Sequence, residues 1–259
     1  FQVGGNAGSA MGPLLAALIV IPFGQVSIGW FALAALLAIF ILVKIGHWYR
    51  RQLAAAARKS AVAAVTAAHG LSKRKIRTAF VILGVLVFSK YFYIASMTNY
   101  FTFFLMDKFA VSVQGAQYCL FAFLAASAAG TFIGGPLGDR IGRKYVIWGS
   151  ILGAAPFTLM LPYVGLVWTI ALAVVIGLVI SSAFSAILVY ATDLMPGKVG
   201  MIAGVFFGLM FGLGGLGSAF FGWLADRTSI EFIFQISTLL PLLGVITGFL
   251  PDVESRKVR

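Results

Sequence analysis

Apolar residues run along this chain in long stretches separated by short polar breaks. Eight stretches are long enough to cross roughly 30 Å of hydrocarbon as helices. They are Gln2–Ile21, Ser27–Ile45, Thr78–Leu105, Ala116–Pro136, Tyr145–Pro162, Val167–Tyr190, Met201–Leu224 and Ile230–Leu250. The alternating ten-residue strands of a membrane barrel are not the pattern here. Most breaks are short, so neighbouring helices should pack antiparallel. The exception is 47–76, which is basic and alanine-rich. It reads as a linker, with room for an amphipathic helix on anionic headgroups.

One polar position stands out against this pattern. Lys90 lies roughly 20 Å from either end of its span at 1.5 Å rise per residue, too far for its stem to reach the interface. A buried cation of this kind usually faces a protein interior or a watery cavity and marks a substrate or ion pathway. At 100° per residue Tyr93, Met97, Tyr100 and Ser89 fall near it on the helix. A cation with hydroxyls and aromatic surface suits an amphipathic anion, and a desolvated lysine can also exchange protons. The rings could equally pack against neighbouring helices. In the sixth span Gly177, Ser181, Ser185 and Thr192 share a face, with Ser181 and Ser185 the candidate ligand hydroxyls. Hydroxyls in membrane helices more often bond the preceding turn.

Composition agrees with an all-α membrane protein: 61% of residues are hydrophobic and only 10% charged. The net charge of +12 would suggest nucleic acid in a soluble protein, but topology partitions it. Nine basic residues between Lys44 and Arg77 crowd one loop without an acid, which the positive-inside rule assigns to the cytoplasm. Threading the spans from there puts Arg140, Arg143, Lys144, Lys198 and the basic C-terminus on the same side. No nucleic-acid partner is needed; the lipid bilayer is the expected one. Cys119 is the single cysteine, so no disulfide framework is expected. No metal site, cofactor or catalytic residue is expected. His47 and His69 lie in the linker, and every acid falls at a helix end or in the tail.

Two motifs carry further information. Gly135-Pro136-Leu137-Gly138-Asp139-Arg140-Ile141-Gly142-Arg143-Lys144 occupies the break between the fourth and fifth spans. Its glycines allow a tight reversal, Asp139 can meet an arginine or a helix N-terminus, and its cations suit the headgroup layer. In the first span Gly8, Gly12 and Pro13 give small residues at four-residue spacing with a bend, a pattern for close helix packing. Glycine density in the first and seventh spans also hints at a repeat. If 77–251 is a six-helix unit, 1–46 resembles its last two helices, as in secondary transporters.

At Gly135–Lys144 the chain resembles the major facilitator superfamily, whose signature loop is G-x-L-A-D-R-x-G-R-K, with Gly138 here in place of alanine. Gly8-x-x-x-Gly12-Pro13 resembles the core of a motif in helix five of drug–proton antiporters, though Ala16-Ala17 stand where glycines are common. Phe1–Pro13, Phe88–Tyr93, Ile133–Leu152, Ser181–Tyr190, Gly212–Gly217 and Phe249–Asp252 are similar to the fosmidomycin resistance group of efflux pumps.

The resemblance implies a helical bundle of twelve, of which this chain supplies the last eight and lacks the N-terminal four. Residues 1–46 would close the first half, 47–76 the cytoplasmic linker, 77–251 the second half and 252–259 a cytoplasmic tail. It implies drug efflux by alternating access in the bacterial inner membrane, exchanging protons for fosmidomycin-like phosphonates or other amphipathic anions, and hence antibiotic resistance. The gating role would fall to Gly135, Gly138, Asp139, Arg140, Gly142, Arg143 and Lys144. The rivals are a non-transporting truncated scaffold or subunit, and a facilitator-type importer of a small organic anion.

Overall fold

Inside a bilayer each backbone amide must find its partner within the protein, and a helix achieves this within one segment. The computed structural model describes residues 2–59, 72–195 and 197–251. Among them are helices and no strand, and the chain is an all-α membrane protein. Eight helices are long and apolar enough to span: α1 Gln2–Phe23, α2 Gln25–Arg50, α3 Arg74–Phe109, α4 Val113–Ile141, α5 Arg143–Tyr163, α6 Leu166–Leu194, α7 Val199–Ala225 and α8 Ile230–Phe249.

Each expected span overlaps one of these helices, with differences at the ends. The reversal expected across Gly135–Lys144 shrinks to one residue. Helix α4 continues through Pro136 to Ile141, and only Gly142, with φ of +99°, breaks the chain before α5. That φ lies in the region L side chains avoid, so glycine is required there. The start of the expected linker is helical too, since one helix runs over Phe31–Lys59. The next begins at Lys73, capped by the Ser72 hydroxyl accepting from the Lys75 amide. The amphipathic segment expected over 60–71 and the tail 252–259 lie outside the described residues.

Small residues set the tightest crossing. A Cβ at Gly130 would lie 2.0 Å from the Leu178 carbonyl oxygen, and one at Gly134 would lie 2.5 Å from that of Ser182. From the facing helix, a Cβ at Gly177 would lie 2.5 Å from the Phe123 carbonyl oxygen. Helices α4 and α6 therefore touch backbone to backbone.

Helix α1 docks on the other side of α4 through Asn6, Ala10 and Ala17. Gly8 and Gly12 point the opposite way and meet no atom within 4 Å, so the approach expected of them is not made among the described residues. Beyond Pro13 the helix widens into a π turn over Ala16–Val20, where the Ile21 amide bonds back to the Ala16 carbonyl. In that register the next donor would be Pro22, which has no N–H. The Ala17 carbonyl instead accepts from Gln114 Nε2 of α4 at 3.0 Å.

Helix α3 runs through two apolar clusters that meet near Lys90. One gathers residues such as Leu83, Leu86, Ile147, Ile187 and Phe206; the other gathers Phe101, Phe104, Phe123, Ile176 and Phe234. Helix α8 breaks after Ser237 and resumes as a 3-10 helix over Leu240–Phe249. Ser89 of α3 donates to the Leu240 carbonyl at 2.6 Å, and Thr158 of α5 to the Thr238 carbonyl at 3.2 Å. Hydroxyls from neighbouring helices thus satisfy the irregular backbone, as hydrocarbon requires. Helix α2 is the least covered element, with 6% of its apolar window buried. Trp30, Trp48, Trp148, Trp168 and Trp223 all lie on the outer surface.

The α4–α6 crossing is testable in the intact protein. Gly130→Ala should lower stability by about 1–3 kcal/mol, because the colliding atoms are backbone. Gly84→Ala, where nothing lies within 4 Å, should be near neutral. Thermal unfolding in detergent compares the two.

Candidate functional site

A cavity of about 620 Å³ lies between α1, α3, α4, α6 and α7. Lys90 lines it while only 2% exposed. Its ammonium sits 5.3 Å from the centre of the Tyr91 ring and 5.5 Å from that of Phe184. It makes no ion pair or hydrogen bond among the described residues, and no acid lines the cavity. The aromatic faces attract the cation without neutralising it. Phe123, Phe207, Met210 and Phe211 supply apolar wall.

Helix geometry explains which neighbours accompany Lys90. At 100° per residue Ile94, Thr98 and Tyr91 lie on one side of it, and Met97, Tyr93 and Tyr100 on the other. The first side faces the cavity. The second is packed: Tyr93 and Met97 are fully buried in the apolar cluster. The Tyr93 hydroxyl has no hydrogen-bond partner there. Tyr100 donates to the Ser218 carbonyl at 2.7 Å. None of these three lines the cavity, because Lys90 stands at the border between two faces. Ser181 does line it, whereas the Ser185 hydroxyl bonds back to the Ser182 carbonyl at 3.4 Å. Of the six residues expected around a ligand, Lys90 and Ser181 are brought together.

The structure adds polar groups that the stripe around Lys90 does not indicate. Gln2 and Asn6 reach in from α1, Thr98 and Asn99 from α3, and Ser127 and Thr131 from α4. Asn6 Nδ2 donates to Thr131 Oγ1 at 2.8 Å, across the α1–α4 contact. Two of these sets are polar pairs four residues apart in apolar spans. That spacing is the signal by which the sequence displays them.

At the basic end Arg143 pairs with Asp193 of α6 and, at 3.7 Å, with Asp139 of α4. Asp193 and Arg143 are largely covered, whereas the Asp139 side chain is 73% exposed. Gly138 is buried beside Arg143, and a Cβ there would sit 3.7 Å from Arg143 Cγ, an ordinary contact. Arg140 is exposed. Lys144 donates to the Leu250 carbonyl at 2.6 Å, and Tyr190 to that of Pro251, so both hold the end of α8. At the opposite end Lys108 pairs with Glu231 at 2.6 Å and donates to the Pro162 carbonyl.

Comparison with known proteins adds independent findings. A family model described as Major Facilitator Superfamily matches residues 83–259. The chain is 58% identical over 252 residues to the Fosmidomycin resistance protein of Escherichia coli (strain K12), covering 97% of this chain and 61% of that protein. It is 41% identical over 252 residues to an uncharacterized MFS-type transporter, YfnC, of Bacillus subtilis (strain 168), covering 97% and 62% respectively. The chain thus spans about three fifths of the length of these curated relatives. No solved structure matches.

The charge cluster gives a prediction of unequal effects. Asp193→Asn should cost about 1–3 kcal/mol of stability in the intact protein, since it strips a covered arginine of a charged partner. Asp139→Asn should cost under about 1 kcal/mol, its carboxylate being largely in solvent. Paired unfolding curves in detergent measure the difference.

Proposed function

The chain belongs to the Major Facilitator Superfamily, and on that premise we propose that it works within a secondary active exporter of amphipathic anions. The relative named for fosmidomycin resistance supports a phosphonate of that kind as the substrate. Exchange for protons by alternating access completes the reading. Residues 1–46 would belong to the first half of such a transporter, 77–251 would form the second, and 47–76 would link them. By the positive-inside rule the linker, the basic loop and the tail 252–259 would lie in the cytoplasm, with the helices in a bacterial inner membrane.

The observation that carries this reading is the Lys90 ammonium, buried at the cavity wall with no counterion among the described residues. A charge so poorly solvated is costly, and an entering anion offsets part of that cost by charge-assisted hydrogen bonding. The apolar wall takes the organic part of the ligand. Because the anion needs Lys90 protonated, the exchanged proton would be carried by a group other than Lys90. Ser181 is a further candidate ligand group; Tyr93, Met97, Tyr100 and Ser185 would act through the packing of α3 and α6. At the basic end, Asp139, Arg140, Arg143 and Lys144 would form the cytoplasmic gate. Gly135, Gly138 and Gly142 would shape its backbone, while Gly8, Gly12 and Pro13 would serve approach between helices.

Full-length protein in proteoliposomes, driven by an imposed proton gradient, tests the reading. Lys90→Met should reduce fosmidomycin transport by at least about tenfold, and Lys90→Arg should retain part of it. Wild-type transport by Lys90→Met would overturn it. Absence of proton-driven transport in the unaltered protein would favour a scaffold.

A further inference from the structure

We infer that Gln2 and Asn6 are specificity-determining residues, reading a hydrogen-bond donor on the part of the ligand remote from its anionic group. This inference rests on Lys90 being the anion site.

The argument is one of hydrogen-bond direction. Thr131 Oγ1 lies 2.9 Å from the Ser127 carbonyl and 3.4 Å from that of Ser181, and both are acceptors. Its single proton therefore goes to a carbonyl, and toward Asn6 it can only accept. Asn6 must then turn its NH2 group to Thr131, at 2.8 Å, which leaves its Oδ1 facing Gln2. That oxygen accepts from Gln2 Nε2 at 3.2 Å. The same Nε2 lies 3.8 Å from Met210 Sδ, a weak acceptor that favours the same orientation. Gln2 thus has its nitrogen committed. Its Oε1 accepts no hydrogen bond among the described residues, although Gln2 lines the cavity and is partly buried.

The chain Gln2→Asn6→Thr131→carbonyl fixes the outward-facing chemistry at its open end. That end is an acceptor, and a partly buried amide oxygen favours a ligand that brings a donor. Lys90 offers donors only. The cavity is therefore polarised: an anionic group suits Lys90, and a hydroxyl or N–H suits Gln2. An ether or ester oxygen in place of that donor would face an acceptor and lose the contact.

Equilibrium binding to full-length protein in nanodiscs decides the matter, with three probes: hexylphosphonate, its omega-hydroxy derivative and the corresponding omega-methyl ether. The hydroxyl form should bind about three- to tenfold more tightly than the ether. Gln2→Leu should bring that ratio to about one. Asn6→Leu, which removes the group orienting Gln2, should also erase the preference. Lys90→Met should weaken all three probes. A hydroxyl-to-ether ratio near one in the unaltered protein would overturn the inference. So would a ratio that survives Gln2→Leu while dependence on Lys90 persists. Unchanged affinities in Lys90→Met would overturn the anion reading, and this inference with it.

Discussion

Helices α4 and α6 approach until a carbonyl of one occupies the space a side chain of the other would need. Gly130, Gly134 and Gly177 make that possible, and much of the bundle's interior follows from it. With the backbones in contact, Thr131 lies within reach of the Ser181 carbonyl and Ser127 beside Gly177. Thr131 spends its proton on carbonyls, which leaves it an acceptor for α1. The polar wall of the cavity is thus a product of apolar close packing. Without a hydrophobic driving force between helices in lipid, such contact has to come from shape and interhelical hydrogen bonds.

Lys90 shows how magnitudes separate a structural cation from a poised one. A charge at the centre of a bilayer costs at least about 2.5–3.5 kcal/mol, while each cation–π contact returns about 0.5–2 kcal/mol. Tyr91 and Phe184 therefore offset part of that cost without supplying a counter-charge. An acid in the same place would have cancelled more of it, but would also have competed with any anionic ligand. Elsewhere the protein uses acids freely for cations: Glu231 meets Lys108, and Asp193 and Asp139 meet Arg143. The contrast sets Lys90 apart from the paired cations of the bundle.

Much of this was legible in the residues. Apolar run length gives the eight helices, because the bilayer admits little else. Lys90 declares itself by depth alone. Angular reasoning within one helix was less reliable, since it ranks neighbours by distance around the axis and cannot tell left from right. Tyr93 and Met97 lie closer in angle to Lys90 than Thr98 or Tyr91 do, yet they pack and the others line the cavity. Which flank opens depends on where α4, α6 and α7 sit, and that information is spread over the whole chain. The reversal expected across Gly135–Lys144 narrows to Gly142, inside that range. Pro136 reads as a breaker, but a helix interior loses one hydrogen bond to a proline and here continues. The π turn of α1 shows proline acting more decisively: Pro22 orphans a carbonyl that a glutamine from another helix then serves.

Every tryptophan of this chain faces outward, and none borders the cavity. Among the described residues the indoles are therefore separated from the cavity. Ultraviolet emission from these five indoles should follow lipid composition, bromination or detergent exchange more than occupancy of the cavity. An optical view of that interior needs a fluorophore placed there on purpose, and the outer indoles then serve as an internal reference for the membrane.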